Sequence, residues 1–440
     1  MLGFFIIIGK KYKITSYLCK KITAMRHSLL PTIYCLLLTA YCLLLTAYCH
    51  AQDPDIRSVQ CFAGNNELSD PVMELNGNER LTLWFDDLNE KRSSLSYIIV
   101  HCDANWNEDR LFISDYMDGF EENYLRDYAL SFQTRINYMH YSLQIPNEDV
   151  RLKASGNYLI KIYETDRSKP VLVQRFSLYE RNKAGITLRT KGPMITGESC
   201  LQQLEFSVQL QTLPLRDAFT ELKVRVTQNG ISVPGVELPQ PSFIDRNVVS
   251  YTLADKNWYP GGNEYRFFDT RTLDFGAQGV HQVRYDNQGY PYALLNVDRP
   301  RDAQPYTFYN DLNGKYRVDA YRIMRDRHTE AEYVITAFTL AEEELPGDVY
   351  VFGQLSGWSL RPDFKMAYNA DREVYELTVP LKQGYYNYRY LFVDRNGNID
   401  PKAIEGCFAE TENYYTVWVY YRSTHDRYDR LVGVHTLGTL

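Results

Sequence analysis

Apolar and polar residues alternate with a period of two through most of the chain, while the 3.6-residue periodicity of an amphipathic helix is nearly absent. Leu81-Thr-Leu-Trp-Phe85, Tyr97-Ile-Ile-Val-His101, Tyr158-Leu-Ile-Lys-Ile-Tyr163 and Leu222-Lys-Val-Arg-Val226 show the pattern. Successive side chains of a strand point to opposite faces, so such segments read as strands with one face on a core. The chain is therefore expected to be all-β, and only residues 114–130 leave room for a short helix. The 37 tyrosines suit half-buried strands and wet interfaces, because the ring is apolar and its hydroxyl is not.

A chain of 440 residues exceeds the ~250 to 300 that one core can serve, which predicts several domains. Turn signals at Asn76-Gly77, Ser155-Gly156-Asn157 and Gly261-Gly262-Asn263 punctuate the strands at sandwich-like spacing. Residues 180–185 and the Pro-rich, charged residues 298–305 mark the junctions. The expected organisation is a tandem of β-sandwiches over 53–182, 183–300 and 301–440. The last block should open with a hairpin across Tyr306 to Val318, turning at Asp311-Leu-Asn-Gly314.

Residues 1–51 stand apart as an export signal, with Met25 an alternative start. Arg26 and His27 precede an apolar run from Leu29 to Ala47 in which YCLLLTA occurs twice, and Cys49-His50-Ala51 places cleavage after Ala51. A membrane anchor is the competing reading, but the run barely reaches the ~20 residues a span requires. Tyr48 before Cys49 does not fit a lipoprotein site, and no later segment of the mature chain is apolar enough to span a bilayer. The signal holds six of the 48 Lys and Arg and none of the 55 Asp and Glu, which leaves a mature net charge of −13. Phosphate backbones repel such a chain, so nucleic acid is excluded as a partner.

Cys61, Cys102, Cys200 and Cys407 remain after cleavage, are widely spaced, and form no CxxC pair. Isolated buried thiols are the expected state, although an oxidising compartment permits pairing, with Cys61 and Cys102 nearest in sequence. His101-Cys102-Asp103 has the residue types of a cysteine hydrolase, but neighbours on a strand diverge. The other mature histidines, including His140 and His328, show no metal spacing and read as surface residues. Acidic pairs such as Asp86-Asp87 and Glu121-Glu122 read as solvated. Asp394, Asn396, Asn398, Asp400 and Glu405 alternate like calcium ligands, but Ile399 takes the place of the required glycine, and a hairpin at Asn396-Gly397 accounts for them better. No P-loop, GxSxG or GxGxxG occurs. Neither an enzyme nor a cofactor is expected, and a binding protein is.

Three segments carry a family likeness: Tyr97-IIVHCDANW-Asn107, Asp115-YMDGFEENYLRDYALSF-Gln133 and Tyr138-MHYSLQIPNEDVRLKASGNYLIKIYE-Thr165, joined by Asn257-WYPGGNEYRFFDTRTL-Asp274 further on. Across residues 53–300 the chain resembles the plug protein family of the type IX secretion system. Gly347-DVYVFGQLSGWSL-Arg361 and Tyr385-YNYRYLFVDRNGNIDP-Lys402 resemble early-set, immunoglobulin-like sandwiches of the glycogen-binding kind, departing from them by Arg395-Asn396 before Gly397. The first resemblance implies a periplasmic, outer-membrane-associated protein that fills the periplasmic opening of a very large outer-membrane translocon barrel when no cargo is engaged. Trp106, Tyr116, Asp118, Phe120 and Tyr124 are expected on or beneath the contacting face. The second resemblance implies, as an alternative, a periplasmic glycan-binding module.

Overall fold

In the computed structural model, residues 52–439 are described apart from 90–93, 165–168, 192–199, 233–235, 237, 254–256, 275–276 and 324. The expected export signal and its cleavage point lie outside the described residues. The chain is nearly all β, as its alternation predicts.

Three large hydrophobic cores, with a smaller cluster of Ala104, Tyr420 and Leu431, organise the described residues. In the first, the sheet ordered Ile56–Ala63, Leu81–Asp87, Met139–Ile145, Tyr128–Leu130 faces a second sheet. That sheet is ordered Val72–Glu74, Leu172–Tyr179, Gly156–Tyr163, Ser96–Cys102, Glu122–Tyr124. Leu81, Leu83 and Phe85 from one sheet meet Tyr97, Ile99, Tyr158, Ile160 and Phe176 from the other. Alternation decides this directly, since every second residue of each strand points inward.

The second core departs from the expected blocks. Leu201–Leu210, flanked by Ala184–Lys191 and Val248–Tyr251, faces a sheet in which Leu222–Gln228 pairs with Tyr414–Tyr421, and that strand pairs with Arg430–Gly438. Val224 and Val226 thus share a core with Tyr415, Val417, Val419 and Val432. The third core also reaches back: Arg266–Asp269 pairs with Gly384–Asp394, and Phe268 stacks on Tyr386 with ring centroids 5.0 Å apart. Strand pairing therefore divides the chain differently from three consecutive blocks, because local alternation marks a strand without naming its partner.

The hairpin expected over Tyr306 to Val318 does not form. Only Tyr316–Val318 is a strand, and it pairs with Gly384–Asp394. The preceding residues are held by side chains instead, with the Tyr306 hydroxyl donating to Glu264 and Asp311 accepting from Tyr265 N.

Asp86, expected to be solvated, lies on the outward face of Leu81–Asp87 but is only 1% exposed, because the third sandwich, whose other sheet pairs Tyr333–Leu340 with Val374–Lys382, covers that face. Its carboxylate accepts from Lys382 Nζ at 2.7 Å, Tyr333 Oη at 2.8 Å and His140 Nδ1 at 2.7 Å. Lys382 also donates to the His328 carbonyl at 2.6 Å and sits 4.0 Å from the centre of the Tyr138 ring. His140 and His328, expected at the surface, stack with centroids 5.1 Å apart, and Trp84 packs on His328. Burial, together with the neighbouring His140, pushes the His328 imidazole down to about 4. This polar junction locks the first sandwich to the third.

Candidate functional site

The segment from Phe112 to Phe132 crosses from one sheet of the first sandwich to the other. It starts with one helical turn, Ile113–Tyr116, and the amide of the capping residue just before it, Phe112 N, donates to Asp115 Oδ2 at 3.0 Å. The strand Met117–Gly119 follows and pairs with Val150–Leu152. Gly119 is required there: its φ is +135°, and a Cβ would come within 2.0 Å of the Asp149 carbonyl oxygen. The chain then adds Glu122–Tyr124 to the edge of one sheet and Tyr128–Leu130 to the edge of the other.

These elements alternate anchor and exposure. Tyr116 is buried and donates from its hydroxyl to the Ile99 carbonyl at 3.0 Å, burial and then Glu121 pushing its pKa up to about 12. Met117 and Leu125 enter the first core, and buried Asn123 donates to the Phe120 carbonyl at 3.0 Å. Between those anchors Phe120 is 74% exposed and Tyr124 63%. Tyr128, Leu130 and Phe132 continue the series, and Phe112 is exposed before it. Of the fifteen large apolar side chains exposed among the described residues, six fall within these 21 positions. A soluble surface carries such residues singly, and a concentration of this kind marks an interaction face.

Asp118 lies beside Phe120 and forms an exposed ion pair with Lys153 at 2.6 Å. Trp106 is not brought to this fringe. It adopts φ +67° just beyond Ser96–Cys102, with the Arg175 guanidinium 4.8 Å from its ring centre, whereas Tyr124 pairs with Ser96 at the opposite end of that strand. Seven strand residues separate the two by about 20 Å.

His101 and Cys102 diverge. His101 turns inward, with Nδ1 2.6 Å from Asp109 Oδ2 and Nε2 3.0 Å from the Ser155 carbonyl, while Cys102 shares the other face with Ile98 and Val100. Asp394 closes its turn by accepting from Asn396 N and Asn398 N, both at 2.8 Å, and Glu405 is occupied by Arg266 and Arg301. The two ends of the calcium-like run thus serve different structures.

A family model described as the type 9 secretion system plug protein first domain matches residues 56–180. The crystal structure of a hypothetical protein from Parabacteroides merdae aligns with a TM-score of 0.83 and 34% identity, over 88% of this chain and 98% of that one. The chain belongs to the type IX secretion system plug protein family. Among curated proteins no similar chain was found.

The matched plug-family domain coincides with the first sandwich, from Ile56–Ala63 to Leu172–Tyr179, and so contains the whole exposed fringe. Phe112, Tyr128, Leu130 and Phe132 escaped the sequence reading. Tyr128, Leu130 and Phe132 do follow the period of two, so they were visible as a strand face. Whether a core covers that face is a question that only the position of Tyr128–Leu130 at a sheet edge answers.

Proposed function

We propose that this plug-family chain is an exported, non-catalytic protein that occupies the periplasmic opening of the large outer-membrane translocon barrel of the type IX system when no cargo is engaged. The observation that carries the reading is the aromatic fringe on the domain matched by the family model. Phe120 and Tyr124, with Asp118 beside them and Tyr128 and Leu130 on the adjoining edge, make the contact, and Tyr116 supports it from beneath. Trp106, at the far end of the same sheet, makes a second contact. Occlusion asks for rigid mass and a broad surface that binds and releases, and mixed aromatic and charged faces suit that task.

Glycan binding on the third sandwich is supported less well. Trp358 makes edge-to-face contacts with Tyr265 and Phe352, with centroids 6.4 and 5.8 Å away, so its ring serves the packing of its own domain.

Affinity purification of the tagged, full-length protein from solubilised outer membranes tests the reading. The wild type is expected to recover a giant barrel. A Phe120→Asp/Tyr124→Asp/Tyr128→Asp variant should recover at least about tenfold less, since aromatic anchors at an interface centre contribute ~2 kcal/mol or more each. These side chains are exposed, so the variant's thermal unfolding should match the wild type. Recovery of polysaccharide alone, or equal recovery of the barrel by the variant, contradicts the assignment.

A further inference from the structure

Cys200 and Cys407, 207 positions apart, meet in the fold: Cys407 Sγ donates to the Cys200 carbonyl oxygen at 3.2 Å. The backbone on both sides is pinned. Gly261 N donates to the same Cys200 carbonyl at 2.8 Å, and Phe408 N donates to the Gly262 carbonyl at 2.7 Å. Gln202 Nε2 donates to the carbonyls of Ala409 and Thr411 at 2.7 and 2.8 Å, and Asn413 Nδ2 donates to the Gly261 carbonyl at 2.9 Å. A Cβ on Gly261 would come within 1.9 Å of the Phe408 carbonyl oxygen, which shows how closely the two segments approach. A disulfide needs two Cα atoms within about 7 Å and little freedom to separate, and this crossing supplies the close, fixed approach.

We propose that Cys200 and Cys407 are a disulfide-forming pair, which in the exported protein clamps the start of Leu201–Leu210 to the loop that precedes Tyr414–Tyr421. The bridge would tie together the two sheets of the second sandwich, one built from the middle of the chain and one largely from its end. Its formation in the cell rests on the periplasmic location proposed above. The oxidant is an oxidised CxxC thiol oxidoreductase of that compartment. One protein thiolate attacks the oxidase disulfide, giving a mixed disulfide and releasing one oxidase thiolate. The second thiol loses its proton to water and attacks the mixed disulfide, forming the Sγ–Sγ bond and expelling the other oxidase thiolate. The two protein thiols give up two electrons and two protons, and the oxidase disulfide becomes a dithiol. Burial, with the hydrogen bond to Cys200, pushes the Cys407 thiol up to about 12, so its ionisation is disfavoured while it stays enclosed.

The other two thiols are not partners for this chemistry or for each other. Cys61 faces the first core from Ile56–Ala63, whereas Cys102 lies on the outward face of Ser96–Cys102 in the opposite sheet. Burial pushes both upward, Cys102 to about 12.

Thiol counting on the full mature chain tests the proposal in two arms. Protein isolated from the envelope fraction, denatured and alkylated without reductant, should take up label at two of its four cysteines, rising to four after reduction, with one linked peptide pair containing Cys200 and Cys407. Cys200→Ser and Cys407→Ser should each expose three labelled thiols. In the second arm, the folded chain purified in the reduced state is incubated with oxidised glutathione, and the same pair should close. Four labelled thiols in the second arm, or a linked pair containing Cys61 or Cys102, overturns the disulfide whatever the compartment. Closure in the second arm, with the cellular protein found reduced in the cytosol, overturns the export reading and leaves the pair standing.

Discussion

Replacing Lys382 by methionine is expected to lower the free energy of unfolding by about 3 to 5 kcal/mol, the cost of leaving a buried carboxylate without its counter-charge. Lys382 and Asp86 are each about 1% exposed. Burial alone would raise the Asp86 carboxyl, but Lys382 and His140 outweigh it and hold the group below its ordinary value. Tyr333 adds a hydrogen bond to the same oxygen that Lys382 meets. Urea unfolding followed by Trp84, which packs on His328 in this junction, reads the change locally. A second substitution separates charge from packing: Asp86→Asn in the Lys382→Met background should recover a large part of the loss, because an amide costs less to bury than an unpaired ion. Equal instability of the single and double variants would show that methionine merely fits badly.

The same junction sets a pH dependence. The His328 imidazole titrates near 4 in the folded chain and near 6.5 when unfolded, so between those values the unfolded chain binds the extra proton. Stability is therefore expected to fall as the pH drops from about 6.5 to about 4. His140, Asp326, Arg327 and Lys382 surround this ring, and all but Asp326 oppose its charging.

Glu405→Gln should cost a similar amount, about 3 to 5 kcal/mol at neutral pH, by uncovering two guanidinium groups at once. Glu405 accepts from Arg266 Nε at 3.0 Å, from Arg301 Nε at 2.8 Å and from Tyr390 N at 2.8 Å, while Arg266 also reaches Asp298 at 2.9 Å. Burial would raise this carboxyl, yet the two arginines hold it at about 2. A depressed carboxyl stabilises the fold above its unfolded value and loses that contribution as the pH falls toward the folded one. The difference between wild type and variant should therefore be full above pH ~4.5 and shrink toward pH ~2. Denaturant titrations at pH 7, 4 and 3 check both amount and slope; a constant difference would mean that the glutamine acts through shape instead of charge.

Which parts of this architecture were legible beforehand follows from the range of each interaction. Leu81, Tyr97, Tyr158 and Leu222 lie in strands, as their alternation predicted, because strand formation with one face inward is a local property. The partner of Leu222–Gln228 lies almost two hundred residues later, and nothing in Leu-Lys-Val-Arg-Val specifies Tyr414–Tyr421. Asp86 and His140 looked like surface groups because each is polar in an alternating strand. Only docking of the third sandwich turns their outward face into an interior. At the candidate site, Phe120 and Tyr124 stood out by their density in an irregular segment, and both are exposed. Tyr116 looked the same in sequence and is buried, since one helical turn reverses which residues face Ile99.

Uptake of a bulky antibiotic by cells that carry the intact outer-membrane barrel but lack this protein is the most direct test of occlusion. The deletion strain should take up more of the compound than its parent, wild-type protein should restore exclusion, and the Phe120→Asp/Tyr124→Asp/Tyr128→Asp variant should fail to restore it. Unchanged uptake on deletion, with the barrel present at its normal level, would contradict the proposal that this chain closes the opening.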